Sequence, residues 1–269
     1  MPRLKQLAKA VVGEVLTTTL GDRNGRVTLT TRKGPAAGLR FQLDIKKRQE
    51  YAYWFGTYDL PILQQIAALV KPGWTAWDCG TYLGYYTCFF ARLVGPAGKV
   101  YAFEPDPSNL ALTQRNVALN GLTNVTMIHT AIGEPCGEME LFLNDGTNSH
   151  LPGVYVGANR ESYARTETRE ASLKVRCLSL DDAHFVEGAG RPNIIKIDIE
   201  GAEMLALPHT RRLCREVRPF FVLELHNPEC DLAAWNWSRE QGYSITSIAT
   251  GRILTRAEEV GGTLLCSPL

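Results

Sequence analysis

From Thr75 to Ile132 the chain alternates strand-like and helix-like stretches: TAWDCG, GYYTCFFARLV closed by the turn GPAG, KVYAFEP, SNLALTQRNVALNG and NVTMIHTAI. Short apolar runs read as buried strands, and apolar residues spaced three and four apart read as helices that pack by one face. Strand, crossover helix and strand in that order give parallel neighbours, because the connection is right-handed. The pattern therefore predicts an α/β fold with a mostly parallel sheet and helices on both faces. Further strands are expected in CGEMELFLN, LKVRCLSL, NIIKIDIE, PFFVLELHN, YSITSIA and TLLCS, and helices through EMLALPHTRRLC and DLAAWNWSREQG.

A chain of 269 residues with 45% hydrophobic content can bury one large α/β core and carry a small appendage. The expected division is an N-terminal extension over 1–58 and a main domain over 59–269. Within the extension, Leu4, Leu7, Ala8, Val11, Val12 and Val15 lie at helical spacing, and VTLTT and LRFQLDI read as short strands. The first sixteen residues are expected to pack on the main domain or a second subunit in preference to a membrane surface. Asp59 is placed to cap a helix with Pro61 in its first turn. The polar stretch 144–170 is too long for a plain connector and is expected to cover a substrate.

The formal net charge of +1 offers no general field for nucleic acid, and Arg211, Arg212 and Arg215 read as a solvated helix face. The 7 cysteines include no C-x-x-C pair, which fits reduced thiols in a cytoplasm and gives no metal framework. No apolar run approaches the roughly 18 residues of a membrane span.

The chemistry begins at WDCGTYLGYY, where the first strand of the alternating series turns into a helix. Ligands of open parallel sheets bind beyond the carboxyl ends of the strands, so Asp78 and the turn framed by Gly80 and Gly84 are the first candidates. A dinucleotide fingerprint needs a third glycine, and here Tyr82 and Leu83 occupy the turn instead. Glu104 ends the next strand, twenty residues past Gly84, where an acid accepts hydrogen bonds from ribose hydroxyls.

These residues, with YWFGTYD, VYAFEPDPSNL, NVALNG, TAIG, LSLDD, IKIDIEGAE and VLELHN, make the chain from Tyr53 to His226 resemble the FkbM family of class I S-adenosylmethionine-dependent methyltransferases. The resemblance implies a Rossmann-like fold with a seven-stranded sheet whose last strand is antiparallel. It also implies S-adenosylmethionine as donor, S-adenosylhomocysteine as product, and transfer to a hydroxyl of a sugar, glycan or natural-product-like acceptor. Carried over by position, Asp78, Gly80 and Gly84 would line the methionine end, Glu104 would hold the ribose, and Thr130 and Ala131 would flank the adenine. The family usually has a small residue and then Asn where this chain has Thr81 and Tyr82. The cofactor carboxylate then falls to Thr81, Tyr82, backbone N–H groups or Tyr58.

Methyl transfer to an alcohol needs alignment and a proton acceptor. Lys196, Asp198 and Glu200 alternate with isoleucines and are expected on one face of a strand, while Glu224 and His226 share a face at the end of the next. Asp198 is expected to orient the acceptor, His226 or Glu224 to take its proton, and Lys196 to set the carboxylates. Lys196 and Glu224 could equally form a structural ion pair, and Glu203 a helix cap. Asp198, Glu224 and His226 also offer divalent-cation donors, although their spacing is no dedicated ligand motif. Trp54, Phe55, Tyr85, Tyr86, His150 and Tyr155 are candidates for shaping the acceptor pocket. The competing readings are a nicotinamide-dependent oxidoreductase, which shares the ribose acid, and a cofactor-binding scaffold without turnover.

Overall fold

The computed structural model describes residues 21, 22, 25–143 and 171–269. The amphipathic segment expected over 1–16, His150, Tyr155 and the expected cover over 144–170 lie outside them. A hairpin of β1 (Val27–Thr30) and β2 (Arg40–Leu43) leads into helices α1 (Arg48–Phe55) and α2 (Leu60–Leu69). Then follow β3 (Thr75–Cys79), α3 (Tyr85–Val94), β4 (Lys99–Phe103), α4 (Pro107–Leu119) and β5 (Val125–Ile128). A side sheet is built from β6 (Ala131–Ile132), β7 (Gly137–Leu143) and β8 (Ala171–Leu178). The chain continues through α5 (Leu180–Phe185), β9 (Ile194–Ile197), α6 (Glu203–Ala206), α7 (Arg211–Glu216), β10 (Phe220–Glu224), α8 (Pro228–Gln241), β11 (Tyr243–Ser247) and β12 (Thr263–Pro268).

The main sheet has 7 strands in the order β11-β12-β10-β9-β3-β4-β5. The neighbours from β10 to β5 run parallel, and β12 lies antiparallel between β10 and β11. Strand order reverses at β3, which has β4 on one side and β9 on the other, so a crevice opens there beyond the strand ends. Alternation along the strands divides the core. Ala76, Val100, Ile194 and Val222 face one layer with Leu63, Phe89 and Phe90. Trp77, Phe103, Ile195, Ile197 and Phe221 face the other with Leu207 and Trp237. Phe41, Leu43 and Tyr53 are buried in the first layer, so the hairpin and α1 share a core with the helices of the sheet.

Three expectations are corrected. NVTMIHTAI is not one strand: β5 stops at Ile128, and Ala131 and Ile132 leave the main sheet to pair with Cys177 and Leu178. The helix expected through EMLALPHTRRLC breaks into α6, a 3-10 turn at Leu207–His209 and α7, because Pro208 has no N–H to continue the ladder. Asp59 precedes α2 in the left-handed region (φ 45°) and does not cap it; its carboxylate accepts from Tyr86 Oη at 2.9 Å.

Candidate active site

The bend after β3 is shaped by close approach. A Cβ on Gly80 (φ 83°) would stand 1.8 Å from the Asp198 carbonyl, and one on Gly84 2.6 Å from Thr113 Cγ2, so both positions demand glycine whatever they bind. Between them the backbone turns its N–H groups toward β4. Thr81 N and Tyr82 N donate to Glu104 Oε2 at 3.0 and 2.9 Å, and Asp106 N donates to Oε1 at 3.0 Å. Glu104 is buried, which pushes its carboxyl up to about 7 against the pull of these three N–H donors. Asp78 is fully buried, accepts from Thr87 Oγ1 at 2.5 Å through Oδ2, and leaves Oδ1 without a partner. Burial raises it to about 6, with Lys196 alongside pulling it down.

A cleft opens over this bend. Of the residues expected there, Tyr58, Gly80, Thr81, Tyr82, Glu104, Thr130, Ala131, Lys196 and Asp198 line it, while Asp78, Gly84, Glu224 and His226 are not among its lining residues. Thr130 Oγ1 donates to the Arg176 carbonyl at 3.0 Å, which ties the bottom of the cleft to the side sheet. Tyr85 and Tyr86 also line it; Trp54 and Phe55 pack instead with Tyr51 and under Arg32. Sequence reasoning missed Gln49, Tyr53 and Asn109. Gln49 and Tyr53 lie four apart on α1, one helical face, and Gln49 Nε2 donates to Tyr53 Oη at 2.8 Å and to Tyr58 Oη at 3.0 Å.

At the ends of β9 and β10 the cleft meets a carboxylate cluster. Lys196 is buried, with Nζ 2.8 Å from Asp198 Oδ2 and 4.3 Å from the Tyr86 ring centre. Its close ion-pair partner is therefore Asp198 and not Glu224. β9 ends at Ile197, and Glu200 turns in the left-handed region (φ 54°), so the strand alternation expected through Glu200 stops three residues early. Glu203 is no simple cap. Fully buried, its Oε1 accepts from Ile199 N at 3.0 Å and from His226 Nδ1 at 3.0 Å, and Oε2 accepts from Cys230 Sγ at 3.1 Å. That bond orients His226, whose Nε2 lies 3.5 Å from Asp198 Oδ1 and 3.8 Å from Glu200 Oε2.

The charges set one another. Burial opposes the His226 cation, but Glu203, Asp198 and Glu200 outweigh it and raise the imidazole to about 9. Burial would also raise Asp198, yet Lys196 and His226 more than offset it and hold the carboxyl low. Glu224 is pushed up to about 7 and Glu200 to about 8, first by burial and then by the Asp198 charge. Glu224 keeps a buried Oε2 with no hydrogen-bond partner. Donor atoms of Asp198, Glu224 and His226 lie within 4.8 Å of one another, a set able to converge on a divalent cation.

The family model described as the methyltransferase FkbM domain matches residues 78–245, from the acid of the bend to β11. This chain belongs to the FkbM methyltransferase family. Among curated relatives it is similar to Methyltransferase 1 of Beauveria bassiana, 29% identical over 47% of this chain and 54% of that one. It is also similar to the hexuronic acid methyltransferase AglP of Haloferax volcanii, 26% identical over 56% of this chain and 55% of that one. The chain thus spans little more than half the length of these curated relatives. A solved FkbM methyltransferase from Methylobacillus flagellatus is similar over 94% of this chain and 57% of that chain, at 16% identity and a TM-score of 0.45.

The cofactor of this FkbM chain is S-adenosylmethionine, and the cleft fits it. The glycine bend admits close approach of a ligand to backbone, the buried Glu104 carboxylate lines the cleft, and Asp78 keeps an orphaned oxygen at the strand end. No helix among the described residues is long and apolar enough to cross a membrane.

Proposed function

We propose that this FkbM chain transfers a methyl group to a hydroxyl oxygen of a sugar, glycan or natural-product-like small molecule. The observation that carries the reading is the carboxylate cluster at the ends of β9 and β10, which reaches the cofactor cleft at Lys196, Asp198 and Glu200. Held over the bend of Gly80, Thr81 and Tyr82, S-adenosylmethionine would supply an electrophilic methyl group and leave as the neutral thioether S-adenosylhomocysteine. Everything else falls to the protein. An alcohol is a poor nucleophile, and a base near neutral pKa is the matched proton acceptor.

Glu224, with a carboxylate oxygen within 4.8 Å of one on the cleft-lining Asp198, is that base. Its carboxyl sits at about 7, and its unpartnered Oε2 has capacity for the proton leaving the acceptor hydroxyl. Asp198, kept ionised by Lys196, orients the acceptor at the cleft wall. His226 is already an imidazolium at neutral pH, so its part is to hold Asp198 and Glu200 together. The name of the AglP relative, a hexuronic acid methyltransferase, supports a carbohydrate acceptor.

The test is a screen of sugar hydroxyl acceptors for S-adenosylhomocysteine release, followed by single-turnover kinetics. Glu224→Gln is expected to slow the chemical step about 100-fold or more at unchanged cofactor affinity. A chemical rate within about threefold of wild type for both Glu224→Gln and Asp198→Asn would remove the assignment. Absence of product with every acceptor would favour the scaffold reading.

A further inference from the structure

We infer that Glu50, on α1 and outside the stretch matched by the family, is a positioning residue for the cofactor bend: it latches Tyr82 in the conformation from which the backbone grips Glu104. Glu50 is completely buried, an expensive place for a carboxylate unless it is paired and hydrogen-bonded. Its oxygens are taken up from three directions. Oε2 accepts from Arg26 Nη1 at 2.7 Å and from Asp44 N at 2.6 Å, and Oε1 accepts from Tyr82 Oη at 2.5 Å.

Tyr82 has φ 51°, a region that glycine and asparagine enter readily and a bulky aromatic residue does not. It is pinned at three points: N–H to Glu104 Oε2 at 2.9 Å, C=O to Thr113 Oγ1 at 3.0 Å, and the phenol to Glu50. At this position the FkbM pattern usually has Asn. A tyrosine here needs an anchor outside the bend, and the buried carboxylate on α1 provides it. The chain of contacts runs from the β1–β2 hairpin through Arg26, Glu50 and Tyr82 to the ribose acid Glu104. The segment before β3 therefore sets the cofactor bend as well as filling the core. This inference rests on the cofactor of the family and not on the identity of the acceptor.

The experiment has a binding arm and an exchange arm. S-adenosylhomocysteine affinity is measured by calorimetry for Glu50→Gln, Tyr82→Phe, the double variant, Tyr82→Gly, and Glu50→Gln in the Tyr82→Gly background. Each of the first two is expected to weaken binding about tenfold, and the double variant no more than the weaker single. Tyr82→Gly, which adopts the positive φ unaided, is expected to bind within about threefold of wild type and to be indifferent to Glu50→Gln. In the exchange arm, run without any ligand, amide protection at Thr81 and Tyr82 falls in Tyr82→Phe while the sheet strands keep theirs.

Wild-type-like affinity and protection in Tyr82→Phe would overturn the latch. So would an equal loss from Glu50→Gln with and without Tyr82, because that marks a contact that only stabilises the fold. Tyr82→Phe leaves the Arg26–Glu50 pair intact, so the latch is testable even if Glu50→Gln does not fold. The exchange arm decides it independently of catalysis.

Discussion

The bend after β3 and the carboxylate cluster after β9 and β10 lie on the same cleft and handle buried acids in opposite ways. At the bend, Glu104 is held by main-chain N–H groups of Thr81, Tyr82 and Asp106. In the cluster, Asp198, Glu200 and Glu224 are set largely by the charges of Lys196, His226 and one another, and only Glu203 also accepts from the main chain, at Ile199 N. Backbone donors are neutral, so the grip on Glu104 contains no buried cation whose loss would strand the acid. Side-chain cations are themselves buried, so removing one strands several charges together.

The strongest way to break this contrast is to remove the cation from the cluster. Lys196→Met leaves Asp198 and Asp78 without their close positive neighbour in a buried setting. The expected cost is about 3–5 kcal/mol of folding stability, read from urea unfolding midpoints. A loss under about 1 kcal/mol would mean that the cluster tolerates isolated charge and that the contrast fails.

The corresponding lesion in the bend is milder and shows in binding. Glu104→Ala removes the acid proposed to hold the ribose and strands the Thr81 and Tyr82 amides. S-adenosylhomocysteine affinity is expected to fall at least tenfold, about 1.4 kcal/mol, by calorimetry. Unchanged affinity would displace Glu104 from the cofactor.

The same contrast explains what could be read from residue order. The sheet and its reversal point were legible because strand and helix periods differ, and the glycines of the bend because backbone approach leaves no alternative at Gly80. The antiparallel last strand came with the family resemblance. The cluster was legible only as residue types: alternation placed Lys196 and Asp198 together, but the positive φ of Glu200 ends that rule. The link of Glu203 to His226 joins a helix start to a strand end, 23 positions apart, and no local pattern encodes it. Gln49 and Glu50 sit in α1, a helix the residue pattern did not announce, so nothing marked Gln49 as lining the cleft or Glu50 as reaching Tyr82. Pro208, by contrast, was visible and should have ended its helix.

The subtlest separation of the two regions is by pH. Glu104 has an ordinary value of 4.5 and is raised to about 7 by burial, so the folded chain keeps a proton that the unfolded chain releases. Its contribution makes stability fall as pH rises from about 4.5 to about 7 and is level beyond. His226 is raised from 6.5 to about 9 by Glu203 and its other carboxylates against the effect of burial. Its contribution is fully present below 6.5 and is lost as pH climbs through about 9. Glu224 and Glu200, raised to about 7 and about 8, have the same sign as Glu104. The ligand-free chain is therefore expected to melt several degrees lower at pH 9 than at pH 5.5, at roughly 2–4 °C per kcal/mol. Glu104→Gln should flatten the part of that slope below pH 7, and His226→Gln the part above it. Should both variants flatten the same window, the two regions titrate as one unit, and the division between a backbone-held acid and a charge-held cluster is wrong.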